Sequence, residues 1–211
     1  MKKLMFLVAA LFMAPALMAQ TAYEEGVHYD VISEQKTTKP EVKEFFSYYC
    51  PACNAIDPVV QSVVKTLPEG TSFKKSHVDF MGGASAEIQR ALSAAMVLAK
   101  TQGKGDEVNK AFFNHIHKER KAFANEGEIR DVVVAAGVDG AVYDKQINNF
   151  MVKTQVNLMQ KEQGALSKSR VLSGVPTFIV NGRFKINTAK LDQGNLEQDL
   201  KNLINFLLQQ P

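Results

Sequence analysis

The chain has only two cysteines in 211 residues, too few for the network of staples that stiffens small exported domains. It also lacks a second paired Cys or His motif. His28, His77, His115 and His117 show no ligand spacing, and a structural zinc site takes four such ligands, so no metal centre is expected. His115 and His117 lie two apart, which on a helix sends them to different faces; both read as surface or partly packed residues. Charge of one sign is not in excess: 25 Lys and Arg stand against 22 Asp and Glu. Without a concentrated basic face an electrostatic nucleic-acid binder is excluded. Beyond the N-terminal stretch no apolar run reaches spanning length, and no tract is repetitive or of low complexity.

That N-terminal stretch reads as a secretory signal peptide. Lys2 and Lys3 precede an apolar run from Leu4 to Met18, and the segment ends on the small residue Ala19, the charge, core and cleavage pattern of an export signal. The run of 15 residues falls short of the ~20 that span a bilayer, so a retained anchor is the weaker reading. Cleavage after Ala19 leaves 192 residues with 23 basic and 22 acidic side chains, enough for one core with an inserted subdomain. The mature protein is expected to be soluble.

The two cysteines sit together as Cys50-Pro51-Ala52-Cys53, directly after the strand-like run Glu41 to Tyr49. A staple enclosing two residues removes little unfolded-state entropy, because stabilisation grows with the length of chain enclosed. A redox pair is the better reading. If the pair opens a helix, unpaired N–H groups and the positive end of the dipole favour a thiolate on the first sulfur. Thiolate is both the attacking and the leaving species of disulfide exchange.

The flanking pattern supplies that context. Glu41 to Tyr48 reads as a strand, preceded by a short edge strand within 27–32. Helical spacing follows from Pro51, with Ile56, Val59, Val60, Val63, Val64 and Leu67 on one stripe and a kink expected at Pro58. Thr71 to Phe80 reads as a second strand, parallel to the first through a right-handed crossover. About 85 residues of helical pattern come next: 84–99, 107–117, 126–136, and one long helix striped by Tyr143, Ile147, Phe150, Met151, Leu158 and Met159, these faces taken as the core of a small bundle. Strand pattern returns at Val175 to Val180, Asn181-Gly182 marks a hairpin turn, and an amphipathic helix with Leu196, Leu200, Leu203, Ile204 and Leu207 closes the chain.

The order βαβ, helices, ββα, with Glu44 to Cys53, His77 to Gly83, Ile129 to Val132, Gly174-Val175-Pro176 and Val180-Asn181-Gly182 in sequence, resembles the DsbA family of bacterial periplasmic thiol–disulfide oxidases. The resemblance implies an α/β thioredoxin-like fold with an inserted all-helical subdomain: signal peptide 1–19, a discontinuous thioredoxin-like domain 20–83 and 165–211, and a helical insert 84–164. It implies that Cys50 is the exposed nucleophile, Cys53 the buried resolving thiol, and Pro176 a cis-proline packed against them. Val175, Pro176 and Thr177 inherit substrate contact, and 187–196 is a candidate side wall. Glu44 falls beneath the buried cysteine as a carboxylate of raised pKa, with Lys75 as its partner, against the plain reading of a strand Glu as solvated.

The resemblance further implies a monomeric periplasmic enzyme acting on unfolded exported proteins and reoxidised by a DsbB-like quinone-linked membrane partner. No organic cofactor is expected beyond the Cys50–Cys53 disulfide. Pro51 and Ala52 tune the pair, and Ala52 departs from the family, whose best-known members carry His there. Without that imidazolium the Cys50 thiolate is held only by the helix terminus, and a weaker oxidant is expected. The rival readings are a reductase or isomerase of the same fold, since C-x-x-C alone does not set electron direction, and a non-catalytic peptide-binding holdase. About 20 residues separate the expected cleavage site from the first strand, too few for the dimerisation domain that the isomerases add.

Overall fold

The computed structural model describes residues 23–211; the expected signal peptide lies outside them. Five strands form one sheet: β1 (Tyr29–Val31), β2 (Glu41–Phe46), β3 (Ser72–His77), β4 (Thr177–Val180) and β5 (Phe184–Ile186), in spatial order β1-β5-β4-β2-β3. Only β2 and β3 are parallel. The helix α1 (Pro51–Val64) makes their crossover, as the βαβ pattern requires. The β4–β5 turn is the hairpin read from sequence: Asn181 and Gly182 adopt φ of 53° and 66°, the positive pair that a two-residue turn of matching twist demands.

Between β3 and β4 lie five helices, α2 (Ala86–Thr101), α3 (Gly105–Phe113), α4 (Glu126–Ala135), α5 (Gly140–Gln146) and α6 (Phe150–Lys168). A π-helical turn, Asn114–Lys118, extends α3. Three expectations are corrected here. The long helix running through Tyr143 and Met159 is two helices, because Asn149 leaves helical geometry and its side chain accepts the Val152 N–H as an N-cap. The stripe is also not uniformly core: Phe150, Met151 and Leu158 are 86, 41 and 52% exposed. Periodicity marks a common face without saying what covers it. The helix α6 runs past the expected insert boundary at 164 to Lys168, since residues 165–168 carry no breaker.

The final helix, α7 (Leu196–Leu208), packs with α1 on one face of the sheet. Alternation along β2 divides the core. Val42 faces that side with Val60, Val63, Leu200 and Leu203, whereas Phe45 faces the other with Val78, Leu172 and Ile179. Buried aliphatic side chains of this kind contribute roughly 1.5–3 kcal/mol each. The expected side wall within 187–196 is part of this core: Leu191 is buried and Leu196 packs against it, so neither leucine is free for a ligand. A third cluster joins Phe46, Tyr48 and both cysteines to the helical insert through Leu92, Phe112 and Phe113. The redox pair therefore sits where sheet and insert meet.

Candidate active site

Cys50 is the N-cap of α1, with extended backbone at φ −95°, ψ 114°. Its sulfur accepts the Cys53 N–H at 3.2 Å, and its thiol donates to the Val175 carbonyl at 3.3 Å. Pro51 occupies the first turn, where its missing N–H leaves nothing unmet. Ala52 follows, exposed to solvent. No acidic side chain stands in that turn, at the positive end of the helix dipole. Both cysteines are free thiols.

The resemblance implied an exposed Cys50, and the structure corrects this: Cys50 is 4% exposed and Cys53 not at all. The loop that carries the cis Val175–Pro176 bond lies over the Cys50 sulfur and covers it. Thr177 turns inward, its hydroxyl donating to the Gly174 carbonyl at 2.8 Å, so of Val175, Pro176 and Thr177 it is the Val175 main chain that reaches the reactive sulfur.

Beneath the pair lies a charged cluster. Burial pushes the Cys53 thiol far above its ordinary range, and the neighbouring Cys50 and Glu44 push it further. Glu44 is 1% exposed, and neither of its oxygens has a hydrogen-bond partner. Its contact is an ion pair with Lys75 at 3.3 Å. Burial raises the Glu44 carboxyl more than Lys75 lowers it, and Asp57 adds to the rise. Burial works against the Lys75 ammonium, but Glu44 and Asp57 outweigh it and raise its pKa. Lys75 also lies 4.4 Å from the centre of the Phe46 ring, a cation–π contact.

The sequence reading missed Asp57. Its carboxylate takes Lys75 at 2.6 Å, both oxygens take the Asn109 amide at 3.1 and 3.0 Å, and Gln61 adds a bond at 2.6 Å. The available signal was an acidic residue between Ile56 and Val60 on the buried stripe of α1. Two carboxylates and one ammonium leave one negative charge in excess. Glu44, the carboxylate without hydrogen bonds, is the member that holds a proton most readily.

His77 closes the floor. Its Nδ1 lies 2.8 Å from the Ser93 hydroxyl, which donates to the Gln89 carbonyl at 3.0 Å; Nδ1 is therefore the donor. Its ring lies 4.8 Å from that of Tyr48. Burial lowers its pKa from 6.5 to about 3, so the folded protein keeps it neutral. As pH falls below 6.5 the unfolded state takes up a proton that the fold refuses, and stability falls with it. His77→Gln is expected to remove up to about 3 kcal/mol of the stability difference between pH 7 and pH 4, measured by urea unfolding at both. An unchanged difference would place the acid sensitivity elsewhere. His115 and His117 are partly buried: His115 stacks on Phe123 at 4.2 Å and the His117 Nε2 lies 2.7 Å from the Tyr48 carbonyl. No group of three metal-binding side chains occurs among the described residues.

A C-x-x-C at the first helix of a βαβ unit, with a cis-proline loop on its sulfur and a buried carboxylate nearby, defines a thiol–disulfide oxidoreductase of thioredoxin fold. The model of the DSBA-like thioredoxin domain matches residues 41–201. The thiol:disulfide interchange protein DsbA of Escherichia coli K12 is 34% identical over 200 residues, spanning 93% of this chain and 92% of its own. That of Yersinia pestis is 32% identical over the whole of both chains. The crystal structure of Proteus mirabilis DsbA superposes with a TM-score of 0.76 at 29% identity, covering 90% of this chain and 98% of its own. A Cys-to-Ser form of that protein is known with the peptide PWATCDS bound non-covalently. This chain belongs to the DsbA family, and it is a thiol:disulfide interchange enzyme.

Proposed function

We propose that the protein works in the periplasm, introducing disulfides into unfolded exported proteins through Cys50 and Cys53. The observation that carries this reading is the difference between the two sulfurs. Cys50 sits at a helix N-terminus whose first turn carries no acidic side chain, whereas burial holds Cys53 as a thiol. In the resting disulfide a client thiolate attacks the Cys50 sulfur, forming a mixed disulfide and breaking the Cys50–Cys53 bond. Cys53 leaves with the bonding electron pair and takes a proton. Glu44, raised by burial, is the nearby donor. A second client thiolate then attacks the client sulfur bound to Cys50, closing the client disulfide and expelling Cys50 as a thiolate. The enzyme gains the two electrons that the client loses.

The Val175 carbonyl, within reach of the Cys50 sulfur, stands where a client strand would find a main-chain partner. The Proteus mirabilis protein is known with a non-covalently bound peptide, which supports a peptide client; Val175 and Pro176 are the contact proposed for it. Reoxidation by a quinone-linked membrane protein of the DsbB type completes the cycle. No helix among the described residues is long and apolar enough to cross a membrane. The unit is proposed to act as a monomer without metal or organic cofactor.

The test is the equilibrium of the pair against glutathione buffers, read by thiol alkylation. A potential above the ~−180 mV of protein disulfide isomerase supports an oxidase. One near the ~−270 mV of thioredoxin makes the chain a reductase. Ala52→His adds a cation beside the Cys50 sulfur and is expected to shift the pair by roughly 30 mV towards the oxidising side, equivalent to about 1.4 kcal/mol of thiolate stabilisation. An unchanged or lower potential would remove residue 52 from the redox tuning.

A further inference from the structure

At the opposite edge of the sheet from β1, β3 ends the strand order. The Ser72 and Val78 amides donate to the Pro40 and Phe46 carbonyls. Residues 72, 74, 76 and 78 therefore face β2, and the N–H and C=O groups of Phe73 and Lys75 point to the free side, while His77 beyond them is buried. An open cleft of about 1080 Å³ surrounds this edge, between α1 on one side and α6 on the other, with α2 and α3 beyond. Its lining is apolar at Phe73, Val64, Met96, Met151 and Leu158, and the last two are among the exposed apolar side chains of the fold.

Charge and unmet polar groups narrow the choice of occupant. Six lysines line the cleft against two carboxylates, Asp106 and Glu162. Lys65, Lys100 and Lys161 are exposed, and none joins an ion pair among the described residues. Two lining side chains, Ser76 at 3% and Asn109 at 5% exposure, carry buried oxygens, Oγ and Oδ1, without a hydrogen-bond partner. A strand edge supplies a row of main-chain partners at fixed spacing, and flanking pockets for alternate side chains complete a β-addition site.

We propose that this edge is a second peptide-binding site, which takes an extended acidic segment of another polypeptide as a sixth strand. Its main chain pairs with Phe73 and Lys75, its carboxylates meet Lys65, Lys100 and Lys161, and its apolar side chains meet Met151 and Leu158. The site contains neither cysteine, though Lys75 and Asn109 of its lining belong to the charged cluster beneath the pair, and it does not depend on the direction of electron flow.

The test uses the mature protein and two cysteine-free synthetic heptapeptides, one alternating glutamate with valine and the other lysine with valine. The acidic peptide is expected to bind at least about tenfold more tightly at low salt, a preference that salt weakens. In amide exchange followed by NMR it should slow Phe73 and Lys75 while leaving Lys74 and Ser76, already bonded to β2, unchanged. Replacing Lys65, Lys100 and Lys161 together by Glu is expected to abolish the preference and leave thiol oxidation intact. Binding of both peptides alike, binding without protection of those two amides, or saturation of the cleft by laurate with no peptide bound would each overturn the proposal.

Discussion

Cys53→Ser, incubated with oxidised glutathione, is expected to gain one glutathione on Cys50, whereas Cys50→Ser gains none over the same time. The sulfur of Cys50 caps a helix and that residue keeps 4% exposure, while Cys53 is wholly enclosed and burial holds it as a thiol. Adduct formation at Cys50 should be at least about a hundredfold faster, because rate follows thiolate fraction and access. Intact-protein mass spectrometry reads both outcomes directly. Each variant also loses catalytic turnover, since neither can close the Cys50–Cys53 bond. Labelling of Cys50→Ser with an unlabelled Cys53→Ser would reverse the two roles. A peptide-binding holdase would keep its aggregation suppression in both variants, with no loss to measure.

The second large effect is expected at Lys75. Lys75→Met leaves Glu44 and Asp57 facing each other in the interior without a cation, and breaking a buried ion network in this way costs about 3–5 kcal/mol. Urea unfolding at pH 7 measures it. The deficit should shrink in acid, where protonation removes the repulsion.

Glu44→Gln is the informative companion. A carboxyl raised above its ordinary 4.5 binds a proton in the folded state that the unfolded chain has released. It therefore makes stability decline as pH rises from about 4.5 through the raised value. The amide cannot titrate, so Glu44→Gln should flatten that decline and be the more stable protein at neutral pH by on the order of 1 kcal/mol. If Glu44 supplies the proton that Cys53 needs, the same variant slows oxidation of a client thiol and loses its pH dependence. A merely structural Glu44 would move the stability curve alone.

Local signals carried much of this reading. Strand alternation put Val42, Glu44 and Phe46 on one face, Asn181-Gly182 specified a hairpin, and Cys50-Pro51 placed the first sulfur at a helix start. These rest on steric and hydrogen-bonding rules that act within a few residues. The helical insert was legible as helix but less so in its joints. Asn149 ends one stripe and begins another, and an Asn between two apolar runs reads equally as a cap or as a surface residue.

What local rules could not reach were the meetings between distant segments. Asp57, Lys75, Glu44 and Asn109 come from α1, β3, β2 and α3, and only packing brings Lys75 within 3.3 Å of both carboxylates and the Asn109 amide onto Asp57. Exposure belongs to the same class: Cys50 is covered by a loop 125 residues away, and Met151 and Leu158 are left open because nothing in the described fold lies over them. The sequence by itself determined the chemistry, a redox pair at a helix terminus in a βαβ unit, because backbone geometry and thiolate stabilisation are local. The tertiary structure alone decided which buried charges share a proton, which sulfur is reachable and which strand edge stays free, because burial and Coulomb interaction depend on distance in space.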